Sequence, residues 1–305
     1  ALWSLSVLNT NKVTIREEGG IAALVDLLRC GSKRSKHEAF GALSNLAWGG
    51  GSTKKECRVA IAAAGAILPL VACLHDGIDK AKAAGILWSL SDNDNCRIDI
   101  AAAGGIPLLC AALSDEHDAT KGQAAGAVQC LSINVENRVL IHTAGGIPPL
   151  VSLARHDRDA FKIRAAGALW NLSVNDECKI AIHQAGGIPA LVDLLRVSGL
   201  VQEKASGALA NLACKPDVAV AIVEAGGIPA LVAVVSLAHI DDAHRIAMFE
   251  AGSVPPLVAV LRDGNDVMRE HAAGILCDMT VYTRGRSRLH PGPCASSSRR
   301  PATRG

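Results

Sequence analysis

Apolar residues along this chain fall at three- and four-residue spacing in short runs separated by glycine, proline and small polar residues. The stretch from Cys178 to Ala213 shows the arrangement most plainly. Behind Pro189, the residues Ile188, Leu191, Val192, Leu194 and Leu195 make one apolar stripe of a helix. A second stripe, Ala208, Leu209 and Leu212, belongs to a helix over 202–213, and a short helix over Lys179–Gln184 precedes the glycine pair at 186–187. Glycine there predicts a helix end, because a residue without Cβ takes the left-handed cap conformation at no steric cost. Proline predicts the next helix start, since its missing N–H would have no intrahelical partner in the first turn.

The same unit returns along the chain. Its first glycine recurs as Gly19, Gly65, Gly104, Gly145, Gly186, Gly226 and Gly252, at steps of 46, 39, 41, 41, 40 and 26. The residue seven before it is Lys12, Arg58, Arg97, Arg138, Lys179, Ala219 and Arg245, basic in six of seven. A three-helix unit of this size cannot bury its own apolar stripes, so the units must stack into a continuous core. The expected fold is therefore all-α, an α-solenoid of about seven three-helix repeats over residues 1–282. The step of 46 is assigned to a glycine loop over Gly49–Ser52. The step of 26 is too short for a full unit, so the sixth repeat is expected to lack its third helix, between Ala238 and Asp241.

The recurring Asn11-Lys12, the Ala185-Gly186-Gly187-Ile188-Pro189 punctuation with Leu191-Val192, and the run Gly167-Ala168-Leu169-Trp170-Asn171-Leu172-Ser173 together resemble the armadillo-repeat family. The likeness covers about residues 1–282. It implies a right-handed superhelix whose third helices line a concave groove. A HEAT array, the nearest alternative, uses two helices and lacks this punctuation. The importin-α branch places a tryptophan four residues before the groove asparagine. Here that column reads Gly41, Gly85, Gly126, Gly167, Gly207 and Gly274, so the chain looks closer to the β-catenin, vacuolar and plant armadillo type.

Composition adjusts this picture in a few places. Apolar residues are 50% and aromatics only 3%, as thin layers filled by Ala, Leu, Ile and Val require. None of the ten cysteines forms a C-x-x-C pair, and Cys57, Cys96 and Cys178 share a column one repeat apart. Free thiols in a reducing compartment, cytoplasm or nucleus, are expected rather than disulfides or a metal site. The run Ala219–Ile240 is long enough to span a bilayer, yet Gly226, Gly227 and Pro229 keep repeat register, so no membrane span is assigned. The chain opens inside a third helix with no secretory signal visible and without an initiator Met, and is expected to be a fragment or a processed product. Residues 283–305 hold six arginines and no acid and are expected to be a disordered tail.

No convergent catalytic set is present: there is no phosphate loop, no H-E-x-x-H and no G-x-S-x-G. We therefore expect no enzyme, no cofactor and no small-molecule substrate. The informative feature is the side of the third helix opposite Leu169 and Leu172. Its asparagine column reads Ser4, Asn45, Ser89, Cys130, Asn171, Asn211 and Asp278, and the column before it Trp3, Ser44, Trp88, Gln129, Trp170, Ala210 and Cys277. With Trp48, all four tryptophans fall on this stripe, which is expected to be exposed. Asparagine offers both donor and acceptor to a peptide backbone, and tryptophan is the commonest binding anchor. Trp3, Asn45, Trp48, Trp88, Ser89, Gln129, Trp170, Asn171 and Asn211 are thus the candidate residues for holding an extended or disordered segment of a partner protein. Nucleic acid is not expected, because no continuous basic stripe accompanies the aromatics. A substrate-recruiting part of a ubiquitin ligase and an importin-α-like transport adaptor are the alternative roles.

Overall fold

A computed structural model describes residues 2–48, 51–197 and 199–213, with isolated positions as far as residue 273. Among the described residues there are sixteen α-helices and no strand. Residues 228–257, where the sixth repeat is expected to lack its third helix, most of the run Ala219–Ile240, and the tail 283–305 lie outside the described residues.

The helices fall into the expected threes. α1 (Leu2–Leu5) is the end of a third helix; α2 (Asn9–Glu17), α3 (Gly20–Cys30) and α4 (Lys33–Ala47) make the first full repeat. α5 (Gly51–Ala63), α6 (Ile67–His75) and α7 (Lys80–Leu90) make the second, and α8 (Asp94–Ala102), α9 (Gly105–Ala112) and α10 (Asp118–Leu131) the third. The fourth is α11 (Val135–Thr143), α12 (Ile147–Ala154) and α13 (Asp159–Leu172), the fifth α14 (Asp176–Gln184), α15 (Gly187–Leu194) and α16 (Leu200–Leu212).

Local chemistry explains each boundary. The first punctuating glycine is left-handed in every described repeat, with φ between +70° and +74° at Gly19, Gly65, Gly104, Gly145, Gly186 and Gly226, a region that costs a side-chain-bearing residue about 1 kcal/mol or more. Three first helices are capped by an asparagine: Asn93, Asn134 and Asn175 each accept from the backbone N–H three residues on, at 3.2, 2.9 and 3.0 Å. The 46-residue step has a different origin from the glycine loop expected there. α5 begins at Gly51 and runs 13 residues where α8, α11 and α14 run nine, so part of the extra length is helix.

The basic column is a helix-end device. Arg58 donates to the Ala47 carbonyl at 3.0 Å, Arg97 to Ser91 at 2.7 Å, and Arg138 to Ser132 and Ile133 at 2.9 and 3.1 Å. Each guanidinium thus satisfies carbonyls left free at the end of the preceding third helix, where positive charge also suits the helix dipole. The core runs unbroken from repeat to repeat. Leu43, Leu87, Val128, Leu169 and Leu209 form one fully buried file, and Leu46, Leu90, Leu131, Leu172 and Leu212 a second. Each such side chain contributes about 1.5–3 kcal/mol by leaving water. Cys57, Cys96 and Cys178 are buried free thiols, and burial pushes Cys178 up to about 11 and Cys110 up to about 12. No single helix among the described residues is long and apolar enough to cross a membrane.

Replacing the cap residue Asn175 by Ala is expected to lower stability by about 1 kcal/mol, read as a shift in the urea midpoint. An unchanged midpoint would show that α14 is held by packing alone.

Candidate functional site

The third helices α1, α4, α7, α10, α13 and α16 stand side by side, and their glycine column decides what lines them. A Cβ added at Gly41 would collide with the Trp3 ring, one at Gly126 with Trp88, and one at Gly207 with Trp170. Each tryptophan therefore lies flat over the glycine of the next repeat. Cations cover the rings further: Lys82 Nζ is 4.8 Å from the Trp3 centroid, Arg164 Cζ 4.4 Å from Trp88, and Lys204 Nζ 5.6 Å from Trp170. Lys82 and Arg164 come from two repeats beyond the tryptophan they cover. Arg164 also donates to the Gly122 carbonyl at 2.7 Å, and burial holds its guanidinium below the ordinary arginine value. His37 meets Trp3 edge-on with centroids 5.5 Å apart and turns Nδ1 to Asp79 at 2.9 Å.

This corrects the expectation of a freely exposed tryptophan stripe. Trp3, Trp88 and Trp170 are half-buried, because the missing glycine side chain opens a slot that the ring fills. Trp48 is the most open of the four, at 42% exposure, with its ring centroid 4.8 Å from that of Trp88 in a T-shaped pair and Lys54 Nζ 5.9 Å from its own centroid. The glycine column thus marks room for a side chain of the neighbouring helix.

The asparagines are tied to the same neighbours. Asn45 Nδ2 donates to the Trp3 carbonyl at 3.2 Å and to Ser6 Oγ at 3.1 Å. Asn171 repeats this on the Gln129 carbonyl and Ser132 Oγ, at 3.2 and 3.0 Å, and Asn211 on the Trp170 carbonyl and Ser173 Oγ, at 3.5 and 3.1 Å. Both amide hydrogens are therefore used within the protein. The three Oδ1 atoms accept no hydrogen bond from the described residues, and they reach solvent, since Gln123 Oε1 is the single buried side-chain N or O atom without a partner among those residues. What the row offers a ligand is an acceptor at each asparagine.

The remaining candidates divide. Gln129 is half-buried, with its amide in the slot over Gly167. Ser89 is 1% exposed and its hydroxyl donates to its own helix at the Ile86 carbonyl, 2.8 Å, so it presents nothing at the surface. Sequence reasoning passed over the serine two places after the asparagine column. Ser6, Ser132 and Ser173 are fully buried, and each hydroxyl donates at 2.7 Å to the carbonyl that the next asparagine also uses. The column is not uniform: Ala47 replaces serine in one repeat, and Ser91, which donates to the Leu87 carbonyl at 2.7 Å, is followed one repeat on by Cys130 in place of asparagine.

The sequence profile of the armadillo/beta-catenin-like repeat matches residues 9–48, 134–174 and 175–214. No curated protein matches the chain. Among solved structures, an engineered protein is 28% identical, with a TM-score of 0.70 over 92% of this chain and 73% of its own. A second engineered protein is 26% identical, with a TM-score of 0.59 over 86% of this chain and 97% of its own. A designed armadillo repeat protein in complex with the peptide (KR)4 is 22% identical, with a TM-score of 0.57 over 84% and 98% of the two chains, a likeness of fold.

Gly126→Ala is expected to expel the Trp88 ring from its slot, costing about 1–3 kcal/mol and shifting tryptophan emission to the red. In a cycle of Ser132→Ala and Asn171→Ala, the two changes should couple by about 0.5–1.5 kcal/mol. Strict additivity in chemical denaturation would mean that the hydroxyl and the amide act separately.

Proposed function

Because armadillo repeats recur along this chain, we propose that it is a non-catalytic binding scaffold whose third-helix face takes an extended segment of a partner protein. The observation that carries this reading is the set of Oδ1 atoms on Asn45, Asn171 and Asn211, open to solvent and held in place by two bonds on each amide nitrogen. A fixed acceptor recurring along a solenoid matches backbone N–H groups recurring along an extended chain. Such pairing holds a segment without reading its side chains. The half-buried rings and the open Trp48 supply apolar floor between these acceptors.

An importin-type grip on lysine stems fits this surface poorly. Its tryptophans would stand at Gly41, Gly126 and Gly207, where the chain's own Trp3, Trp88 and Trp170 already lie. Lys82, Arg164 and Lys204 on the same face oppose a lysine-rich ligand as well. The buried free thiols favour a reducing compartment, and we assign the protein to cytoplasm or nucleus on that ground.

The test is selection from a displayed library of random 16-residue peptides, followed by an N-methyl scan of each captured sequence. N-methylation removes a backbone donor and leaves the protein untouched. Binding should fall by about tenfold at the few positions that face an asparagine and stay level elsewhere. A library that yields no binder sinks the peptide reading. Binders indifferent to N-methylation everywhere would retain a scaffold but remove the asparagines from it.

A further inference from the structure

One place in the row of third helices breaks its own pattern. In Trp3–Gly41–Lys82 and in Trp88–Gly126–Arg164, a ring from one repeat lies on the glycine of the next and is covered by a cation from the repeat after. Gln129–Gly167–Lys204 keeps the order with an amide in the ring's place. The series that starts at Ser44 has no side chain long enough to cover Gly85. There Gln123, which occupies the same column as Lys82 and Arg164, has come down onto the glycine instead. A Cβ at Gly85 would stand 3.1 Å from its Oε1 and 3.3 Å from its Cδ.

That contact leaves a polar atom unpaired. Gln123 Oε1 is buried without a hydrogen-bond partner. An orphaned carbonyl of this kind gives up its hydration for nothing, so the collapsed position is weakly held.

We propose that Ser44, Gly85 and Gln123 form a slot for an aromatic side chain of the bound segment, tryptophan by preference, which lifts Gln123 off Gly85 and fixes the register of that segment along the groove. This rests on the reading of the third-helix face as a peptide groove. The shape of the occupant comes from the chain itself, which places an indole over Gly41, Gly126 and Gly207 of the same column. With a ring on Gly85, the Gln123 side chain takes the covering position that Lys82 and Arg164 hold over Trp3 and Trp88, and its Oε1 is freed to meet water or the indole N–H. Two neighbours suit the slot to a peptide. Asn45 follows Ser44 directly and presents Oδ1 to the backbone of the same segment, while Trp48, the C-cap of α4, is the most exposed tryptophan.

Two independent measurements test this. In the first, the full chain is titrated with N-acetyl-tryptophanamide, and the Gly85 backbone amide and the Gln123 side-chain amide are followed by NMR. Both should shift saturably, and N-acetyl-leucinamide should leave them in place. Ser44→Trp fills the slot from within and should abolish the shifts while raising the melting temperature. Gln123→Ala, which removes the cover, should bind the tryptophan probe at least about threefold more tightly. Absent shifts in the parent, equal shifts with the leucine probe, or unaltered shifts in Ser44→Trp each overturn the slot.

In the second, peptides selected from the random library are aligned. A tryptophan or other aromatic at one fixed distance from the N-methyl-sensitive positions, with affinity lost at least about tenfold in Ser44→Trp, supports the proposal. Binders without a fixed aromatic overturn the slot and leave the groove standing. A positive response to the tryptophan probe with no peptide selected overturns the groove and leaves a site for a free aromatic ring.

Discussion

Successive third helices meet along a column that carries no side chain, and most of what defines this surface follows from that contact. An interior glycine costs a helix about 1 kcal/mol relative to alanine, and Gly41, Gly85, Gly126, Gly167 and Gly207 all incur it. The compensation lies between repeats. Bare backbone on one helix admits the Trp3, Trp88 or Trp170 ring of the previous one, and burial of an aromatic face outweighs the propensity lost. Between the same pairs of helices, the next asparagine donates to a carbonyl at the end of the preceding third helix.

Those carbonyls explain why asparagine, serine and arginine recur at their columns. The last turn of a helix has acceptors with no intrahelical donor. At the end of α10, the Gln129 carbonyl takes Ser132 Oγ and Asn171 Nδ2, the Leu131 carbonyl takes Asn137 Nδ2, and the Ser132 and Ile133 carbonyls take Arg138. Donors from the helix itself, the following first helix and the next third helix converge there. A column that looks like a ligand-binding motif is thus first a solution to an unsatisfied helix end, and only its leftover oxygen faces outward.

Much of the architecture was legible in the residues. Glycine and proline punctuation placed the helices because the left-handed cap and the proline start are local constraints, and the apolar stripes placed the core because burial follows periodicity. The side of the third helix opposite Leu169 and Leu172 was likewise readable from helical geometry. What could not be read was how far the tryptophans stood out of that surface. Their exposure depends on a glycine 37 or 38 residues away, on the neighbouring helix, as with Trp170 and Gly207 or Trp3 and Gly41. Ser89 misled for a related reason: its column said surface, but depth differs from repeat to repeat with the neighbour's side chains. The glycine-rich stretch before α5 also read as loop, since propensity alone cannot tell that Gly51 is recruited into a helix anchored by Cys57 and Ile61.

The reach of Trp3 to Gly41 and on to Lys82, and of Trp88 to Gly126 and on to Arg164, spans three repeats. Solenoid energetics are ordinarily written as a term for each module and a term for each adjacent pair. Here a pairwise sum omits a contribution, because the aromatic of one module is covered by the next module but one. Modules of this array are consequently not interchangeable bricks. Deleting or transplanting one of them alters a cover two places away.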